Sequence, residues 1–137
     1  MLRLRIRIET IDGSKSIEEV GIANSGFIGL EPEILMPMDI AKKLNLHLLS
    51  EPETYTKITG DGREVSFLRY RESVNIYVLT EDRVEGPVKS SVLITSGGRY
   101  ILLNDKLLSK LNISLIDFGE GIWCFRDELG RRERRSA

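Results

Sequence analysis

Val20–Ala23 is an apolar run that passes directly into three small polar residues, Asn24, Ser25 and Gly26. Phe27–Leu30 follows with no charged residue. An apolar strand that ends abruptly in a polar residue and a glycine is typical of a side chain held at a fixed place on a buried scaffold. We therefore expect the chemistry of this protein to centre on Asn24.

A second stretch has the same character. The apolar run Tyr100–Leu103 passes into Asn104 and Asp105. An asparagine amide donates and accepts hydrogen bonds but has no titratable proton, so neither stretch offers an acid–base pair through its asparagine. Asp105 is the one carboxyl group in these two stretches, and its place before an apolar run predicts a helix N-terminal residue.

The segments downstream of the two stretches form an internal repeat. Ala41–Leu49 and Leu108–Ile116 match at a single offset of 67 residues, close to half the chain. The identical pairs are Lys43/Lys110, Leu44/Leu111, Asn45/Asn112 and Leu48/Leu115. A chance match is the alternative, but each copy also lies behind an apolar run that ends in asparagine. A repeat of this length predicts an internal two-fold architecture.

Composition narrows the class of protein. The 137 residues carry a net charge of −1 and a pI of about 5.9, which gives no electrostatic case for nucleic-acid binding. One cysteine, Cys124, excludes an internal disulfide and predicts a reducing, cytoplasmic setting. No apolar stretch approaches the ~20 residues that a membrane helix needs. His47 is the single histidine, so triads and multi-histidine metal sites are excluded.

The elements that position these residues are mostly short strands. Alternating arginines and aliphatic residues predict a half-buried strand over Leu2–Ile8, turned at Asp12-Gly13 into a second strand, Ile17–Ala23. Short helices are predicted at Met38–Leu44 and Asp105–Leu111. The remaining predicted elements are a projecting hairpin, Tyr55–Leu68, the strands Ser73–Leu79 and Val88–Thr95, and a closing hairpin of Ser114–Phe118 and Ile122–Phe125.

This pattern predicts a mainly β fold with two short helices. We expect a single domain over residues 1–125 and a charged, mobile tail over residues 126–137. Two groups of arginines, Arg3, Arg5 and Arg7 at the N-terminus and Arg131, Arg132, Arg134 and Arg135 near the C-terminus, are interpreted as solvated surface.

Four motifs in this order resemble the retropepsin-like aspartic peptidases, most closely the small cellular forms of bacteria and archaea. Ala23–Gly29 lies where that family has Asp-Thr/Ser-Gly followed by Phe-x-Gly. Leu35–Pro37 leads into a short helix, and Thr59–Arg63 resembles the tip of the family's flap hairpin. The run from Ile101 to Phe118 resembles its apolar-apolar-Gly motif with the helix and strand that follow.

The resemblance implies a closed acid-protease β-barrel with a pseudo-two-fold repeat and a flap, formed by a homodimer. Each chain would contribute one catalytic loop, and Leu2–Ile8 and Ile122–Phe125 would join a sheet shared between the chains. No cofactor and no metal are implied. The implied site residues are Asn24 at the catalytic Asp position with Ser25 and Gly26 beside it, and Phe27, Thr59, Gly60, Asp61 and Gly62 at the substrate.

The sequence departs from the family at two positions. The family's chemistry needs two carboxylates about 3 Å apart that share one proton, and Asn24 has none. Asn104 replaces a glycine, the residue favoured where the backbone is unusual. A natural loss of the acid and an introduced Asp→Asn change both fit the sequence. In either case we expect no peptide cleavage.

Three functions follow as hypotheses. The first is a homodimeric aspartic-peptidase homologue that lacks its catalytic acid. The second is an interaction module whose cleft binds a peptide without cutting it. The third is a β-barrel that binds nucleic acid through its arginines, which the absence of interleaved aromatic residues disfavours.

Overall fold

Ten strands and three short helices account for most of the chain in the computed structural model, which describes residues 1–137. The strands are β1 Arg3–Thr10, β2 Ser16–Ala23, β3 Glu33–Met36, β4 Glu53–Ile58, β5 Glu64–Leu79, β6 Val84–Ile94, β7 Leu102–Leu103, β8 Ile113–Asp117, β9 Ile122–Phe125 and β10 Arg134–Arg135. The helices are α1 Met38–Lys43, α2 Leu46–Leu49 and α3 Asp105–Lys110. The prediction of a mainly β protein is confirmed.

The main sheet closes on itself. Its strand order is β1-β2-β7-β3-β6-β5-β4, and β1 also pairs with β5, so six strands form a ring and β4 extends from it. The ring is mixed, because β2 pairs with β7 and β3 pairs with β6 in parallel while the other pairings are antiparallel. We expected a regular closed barrel; the structure has a ringed mixed sheet with a separate three-stranded sheet, β10-β9-β8.

Alternation along β1 explains why the ring has a filled centre. Leu2, Leu4, Ile6 and Ile8 are fully buried, while Arg3 and Arg5 face outward. These residues belong to one apolar core of 26 buried side chains that also includes the inward faces of α1 and α3. Period-two alternation thus buries one face of the strand, as the sequence predicts.

The internal repeat is visible in the backbone. Shifting α1 by 67 residues gives the bounds of α3. The C-cap residue of each helix is a leucine, Leu44 or Leu111, and the asparagine that follows it has left-handed backbone, with φ of 57° at Asn45 and 61° at Asn112. Asparagine tolerates this conformation better than other residues with a side chain, so the matched asparagines have a structural reason.

Three elements differ from the sequence predictions. A third helix, α2, follows Asn45, where the sequence predicted neither a helix nor a strand. The strand β5 is continuous, where two strands were predicted, because it passes through an irregularity between Tyr70 and Val74 at which Glu72 has a φ of 43°. A bulge of this kind lets one strand bend and serve two partners. Accordingly, β5 pairs with both β6 and β1.

The C-terminal segment also differs from the mobile tail that we expected. Residues 126–128 form a 3₁₀ turn, and β10 pairs with β9. Arg134 is buried because its guanidinium bonds both Asp82 and Glu128 and lies over the ring of Phe125. A buried arginine needs such partners, and here they come from segments far apart in the sequence.

Candidate functional site

Asn24 lies where β2 ends beside β7. Ala23 is paired with Leu103, and the Asn24 N–H continues the ladder by donating to the carbonyl oxygen of Leu103 at 3.1 Å. The side-chain Oδ1 of Asn24 accepts from the N–H of Gly26 at 3.2 Å, and its carbonyl oxygen accepts from the N–H of Phe27 at 3.0 Å. A tight turn thus holds a half-buried amide at the end of a parallel strand pair.

Ser25 and Gly26 are exposed on this turn. The family resemblance led us to expect the Ser25 hydroxyl to support the loop, but it forms no hydrogen bond within the chain. A methyl group added at Gly26 would meet only Oδ1 of Asn24, at 3.4 Å. Packing within one chain therefore does not require glycine at this position, and the outer side of the loop stays open.

Asn104 is the fully buried counterpart of Asn24. Its Oδ1 accepts from the N–H of Glu33 at 2.9 Å and from the N–H of Leu107 at 3.0 Å, which makes it the N-cap of α3. Its Nδ2 donates to the carbonyl oxygen of Glu31 at 2.9 Å. With φ of −80° and ψ of 175°, the backbone is ordinary extended chain, so the position needs no glycine.

Asp105 ties α3 to the loop that follows Asn24. Its Oδ1 accepts from the N–H of Gly29 at 3.1 Å and from that of Lys106 at 2.8 Å, and its own N–H donates to the carbonyl oxygen of Phe27 at 3.0 Å. Burial opposes ionisation of Asp105, but these N–H groups and the Lys106 ammonium outweigh it and lower the pKa of the carboxyl group. Its role is structural, as the sequence indicates.

Gly29 is required for packing beneath this loop. A methyl group built on Gly29 would lie 2.4 Å from Oε1 of Glu33 and 2.7 Å from Nδ2 of Asn104, closer than any real side chain is found. The glycine of the Phe-x-Gly motif therefore makes room for a buried polar pair.

The predicted hairpin is formed by β4 and β5, with its tip at Thr59–Arg63. Thr59 donates to Asp61, which also pairs with Arg63 at 2.7 Å. The Thr59 hydroxyl is the main cause of the lowered pKa of Asp61. Gly60 and Gly62 lie in the same exposed turn. The polar side chains of the tip bond residues of the tip itself, and none of them forms a hydrogen bond with Asn24.

The stem of the hairpin, in contrast, contacts the loop through a residue that the sequence analysis missed. Lys57 donates to the carbonyl oxygen of Ile28 at 2.9 Å and lies 5.2 Å from the ring centroid of Phe27. Its ammonium also pairs with Oε1 of Glu33 at 2.7 Å. Of the residues expected at the substrate, Phe27 is the one that lies in the Asn24 loop and also contacts the hairpin, through Lys57.

Glu33 is fully buried, and its second oxygen, Oε2, has no hydrogen-bond partner. Close by in the sequence, Glu31 pairs with Arg69 and accepts from the Ser91 hydroxyl at 2.9 Å. The sequence did contain a signal for a buried ion pair. Glu33 is a charged residue directly before the apolar run Ile34–Met36, and a carboxylate buried there needs a cation beside it. The sequence did not indicate that Lys57 is that cation.

Within one chain, the polar side chains around the Asn24 loop are engaged by other groups of the protein. Asn24 is an amide, Asp105 is held by backbone N–H groups, and Glu33 is paired with Lys57. No group of three or more histidine, cysteine or acidic side chains is placed to hold a metal ion. The loop therefore presents hydrogen-bonding groups at a fixed position but no acid or base.

No protein-family model matches the chain, and no curated protein matches it. None of the helices is long and apolar enough to cross a membrane.

Proposed function

We propose that this chain is a homodimeric homologue of the retropepsin-like aspartic peptidases in which Asn24 occupies the place of the catalytic acid, so that it does not cleave peptides as it stands. The observation that carries the proposal is the convergence of the two motif-bearing stretches. The loop that begins at Asn24 bonds Leu103 and Asp105, at the end of the only strand that runs parallel to β2.

The internal symmetry supports the proposal. The two parallel pairs, β2–β7 and β3–β6, meet at the antiparallel contact between β3 and β7. Together with the matched helices α1 and α3, this gives each half of the chain a strand that leads into a helix. A pseudo-two-fold repeat is what the family resemblance implies.

Exposed apolar side chains support a partner at this face. Leu30 is 97% exposed and Ile28 is 68% exposed on the loop, and Ile58 is 72% exposed at the end of β4. The open outer side of Ser25 and Gly26 lies in the same loop. Such apolar exposure beside the open side of the turn is expected if a second chain or a peptide covers it.

The edges of β1 and β9 disfavour the sheet shared between chains that the family resemblance implies. β9 is paired on both edges, with β8 and β10. β1 is flanked by β2 on one edge and by β5 and residues 136–137 on the other. Neither segment offers a free edge for a sheet shared between chains. We therefore place the dimer contact on the loop and hairpin surface instead.

The chemistry explains why the chain is inactive. Two Asp side chains that face each other in a dimer share one proton, so that one acts as a base on water and the other as an acid toward the peptide carbonyl. Two asparagines provide neither group. Asn24→Asp restores a carboxylate of nearly the same shape, and the pair then titrates as a unit.

The test compares the original chain, Asn24→Asp and Asn24→Ser on a broad peptide library between pH 3 and 7. We expect acid-favoured endopeptidase activity, blocked by statine-type inhibitors, for the Asp variant alone. Sedimentation at micromolar concentration should show a dimer for all three. A monomer, or no cleavage by the Asp variant at any pH, contradicts a disarmed peptidase.

The second candidate is a module that binds a peptide on the same surface and does not cleave it. The contact between Lys57 and the loop favours it, because this pair fixes the hairpin over Phe27 in one arrangement. Backbone NMR of the original chain with extended peptides tests it. Shifts confined to residues 24–30 and 53–68 support binding, and no perturbation by any peptide contradicts it.

A further inference from the structure

The two arginine groups at opposite ends of the chain lie along one groove. Its volume is about 730 Å³, and it is lined by β1, by the turn between β5 and β6 and by the C-terminal segment. Six arginines line it: Arg3, Arg5, Arg7, Arg132, Arg134 and Arg135. No residue of the Asn24 loop or of the paired hairpin segment, residues 53–69, lines it, so this groove is separate from the candidate site above.

Two of the six guanidinium groups are already neutralised within the chain. Arg134 bonds Asp82 and Glu128, each at 2.8 Å, and Arg132 bonds Asp82 at 2.8 Å. These ion pairs fix the C-terminal segment as one wall of the groove. They also leave the carboxylate of Asp82 with its charge fully compensated.

The other four arginines have no carboxylate partner. Arg3, Arg5, Arg7 and Arg135 form no salt bridge in the chain, although Arg7 lies 5.7 Å from the ring centroid of Tyr77. From the sequence we expected these arginines to lie on a solvated strand face and a tail. Their convergence on one concave surface instead makes a site with unpaired positive charge.

The spacing of these charges is set by β1. Arg3, Arg5 and Arg7 occupy alternate positions on one face of the strand, so successive guanidinium stems are about 6.7 Å apart. Val20 and Ile22 lie opposite Arg5 and Arg3 on the same face of β2 and provide apolar surface between them. An extended polypeptide with acidic residues at every second position has the same repeat.

Other polyanions fit less well. The aromatic residue that lines the groove, Trp123, is only 4% exposed and lies beneath Arg134, so it cannot stack on a base. Glu18, Glu81 and Glu133 also line the groove and would repel a phosphate backbone that runs along it. A peptide can place neutral or basic side chains beside them.

From this charge arrangement we propose that the groove binds an acidic peptide in extended conformation, with carboxylates at alternate positions paired to Arg3, Arg5 and Arg7. Each pair uses the planar guanidinium, which can bind a carboxylate through two hydrogen bonds. The proposal does not depend on the function proposed for Asn24, since the two surfaces share no residue.

The test is fluorescence anisotropy with a labelled octapeptide of alternating Glu and Thr, in ~50 mM salt, with the full chain. The comparison peptide has the same composition with its four Glu residues in one block. We expect the alternating peptide to bind more tightly, and R3Q/R5Q/R7Q to weaken it by about tenfold or more. R3K/R5K/R7K keeps the charge and should give a smaller loss.

The matched control removes three charges outside the groove, K42Q/K43Q/R71Q, all at exposed positions. It should bind like the original chain, and thermal melting should show that every variant is folded. Equal loss in the control, or equal binding of both peptides, overturns the proposal in favour of non-specific attraction. Tighter binding of an oligothymidine of eight nucleotides overturns it in favour of nucleic acid.

Discussion

Asn45 and Asn112 hold the same left-handed backbone conformation, each immediately after the C-cap leucine of a six-residue helix. The two residues are 67 positions apart and occupy matching positions in the two copies of the internal repeat. A left-handed residue lets the chain leave the helix, and asparagine accepts this conformation with less strain than other residues that have a side chain.

The effect of a substitution at either position on the free energy of unfolding should therefore depend on backbone strain and not on side-chain chemistry. We expect Asn112→Ala to lower the free energy of unfolding by about 1 kcal/mol, whereas Asn112→Gly should leave it unchanged or raise it. Asn45→Ala and Asn45→Gly should show the same order. Urea denaturation measures all four, and equal losses for Ala and Gly at either site would contradict a shared role.

Asn24 and Asn104 end neighbouring strands but differ in what they support. Removing the Asn104 side chain leaves the buried N–H groups of Glu33 and Leu107 without an acceptor. Asn104→Ala should therefore lower the free energy of unfolding by about 3 kcal/mol. Asn24→Ala removes one bond to the exposed Gly26 and should cost about 0.5 kcal/mol. Chemical denaturation distinguishes the two, and a large loss at Asn24 would show that it is a structural residue.

The sequence predicts the elements with clear periodicity or turn chemistry. Alternation identified β1, and Asp61-Gly62 identified the hairpin turn. Helix start and stop signals located two of the three helices, α1 and α3. Each of these signals is local, so neighbouring residues alone determine it.

The missed features depend on contacts distant in sequence. β3 shows no alternation, because it pairs with β6 on one edge and β7 on the other and three of its four residues are buried. The charges of residues 126–137 suggested solvent exposure. Arg134 is instead buried by Asp82, which is 52 residues away. Local composition cannot indicate such a partner.

The pair Lys57–Glu33 should fasten the hairpin to the loop after Asn24. Lys57→Met leaves the Glu33 carboxylate buried without a cation, and we expect a loss of about 3 kcal/mol. The double change Lys57→Met with Glu33→Met should recover most of it, because two apolar side chains can replace a buried ion pair. A double-mutant cycle from urea denaturation measures this coupling.

Amide hydrogen exchange provides a second test of the contact that Lys57 makes with the loop. Lys57→Met should speed exchange at residues 24–30, since the contact to the Ile28 carbonyl is lost. Lys89→Met, an exposed lysine on β6, is the control and should change neither exchange nor stability. Unchanged exchange in the loop would mean that the hairpin stem does not hold it.

The cluster of Asp82, Glu128 and Arg134 should make the free energy of unfolding depend on pH in the acid range. Hydrogen bonds from Arg134 are the main reason that the pKa of Glu128 falls from its ordinary 4.5 to about 2, and the same arginine lowers the pKa of Asp82 further. A lowered folded-state pKa stabilises the protein above the unfolded-state pKa. That stability is lost as the pH falls from about 4.5 toward 2.

Glu128→Gln should remove part of this dependence. We expect the variant to be about 1 to 2 kcal/mol less stable at pH 7, allowing for solvent screening, and to lose less stability than the original chain on acidification. Denaturation at several pH values between 7 and 2 measures both effects. Glu120→Gln, in the exposed turn between β8 and β9, is the control and should follow the original curve. If Glu128→Gln loses as much stability between pH 7 and pH 2 as the original chain, the ion pair with Arg134 does not contribute to folding.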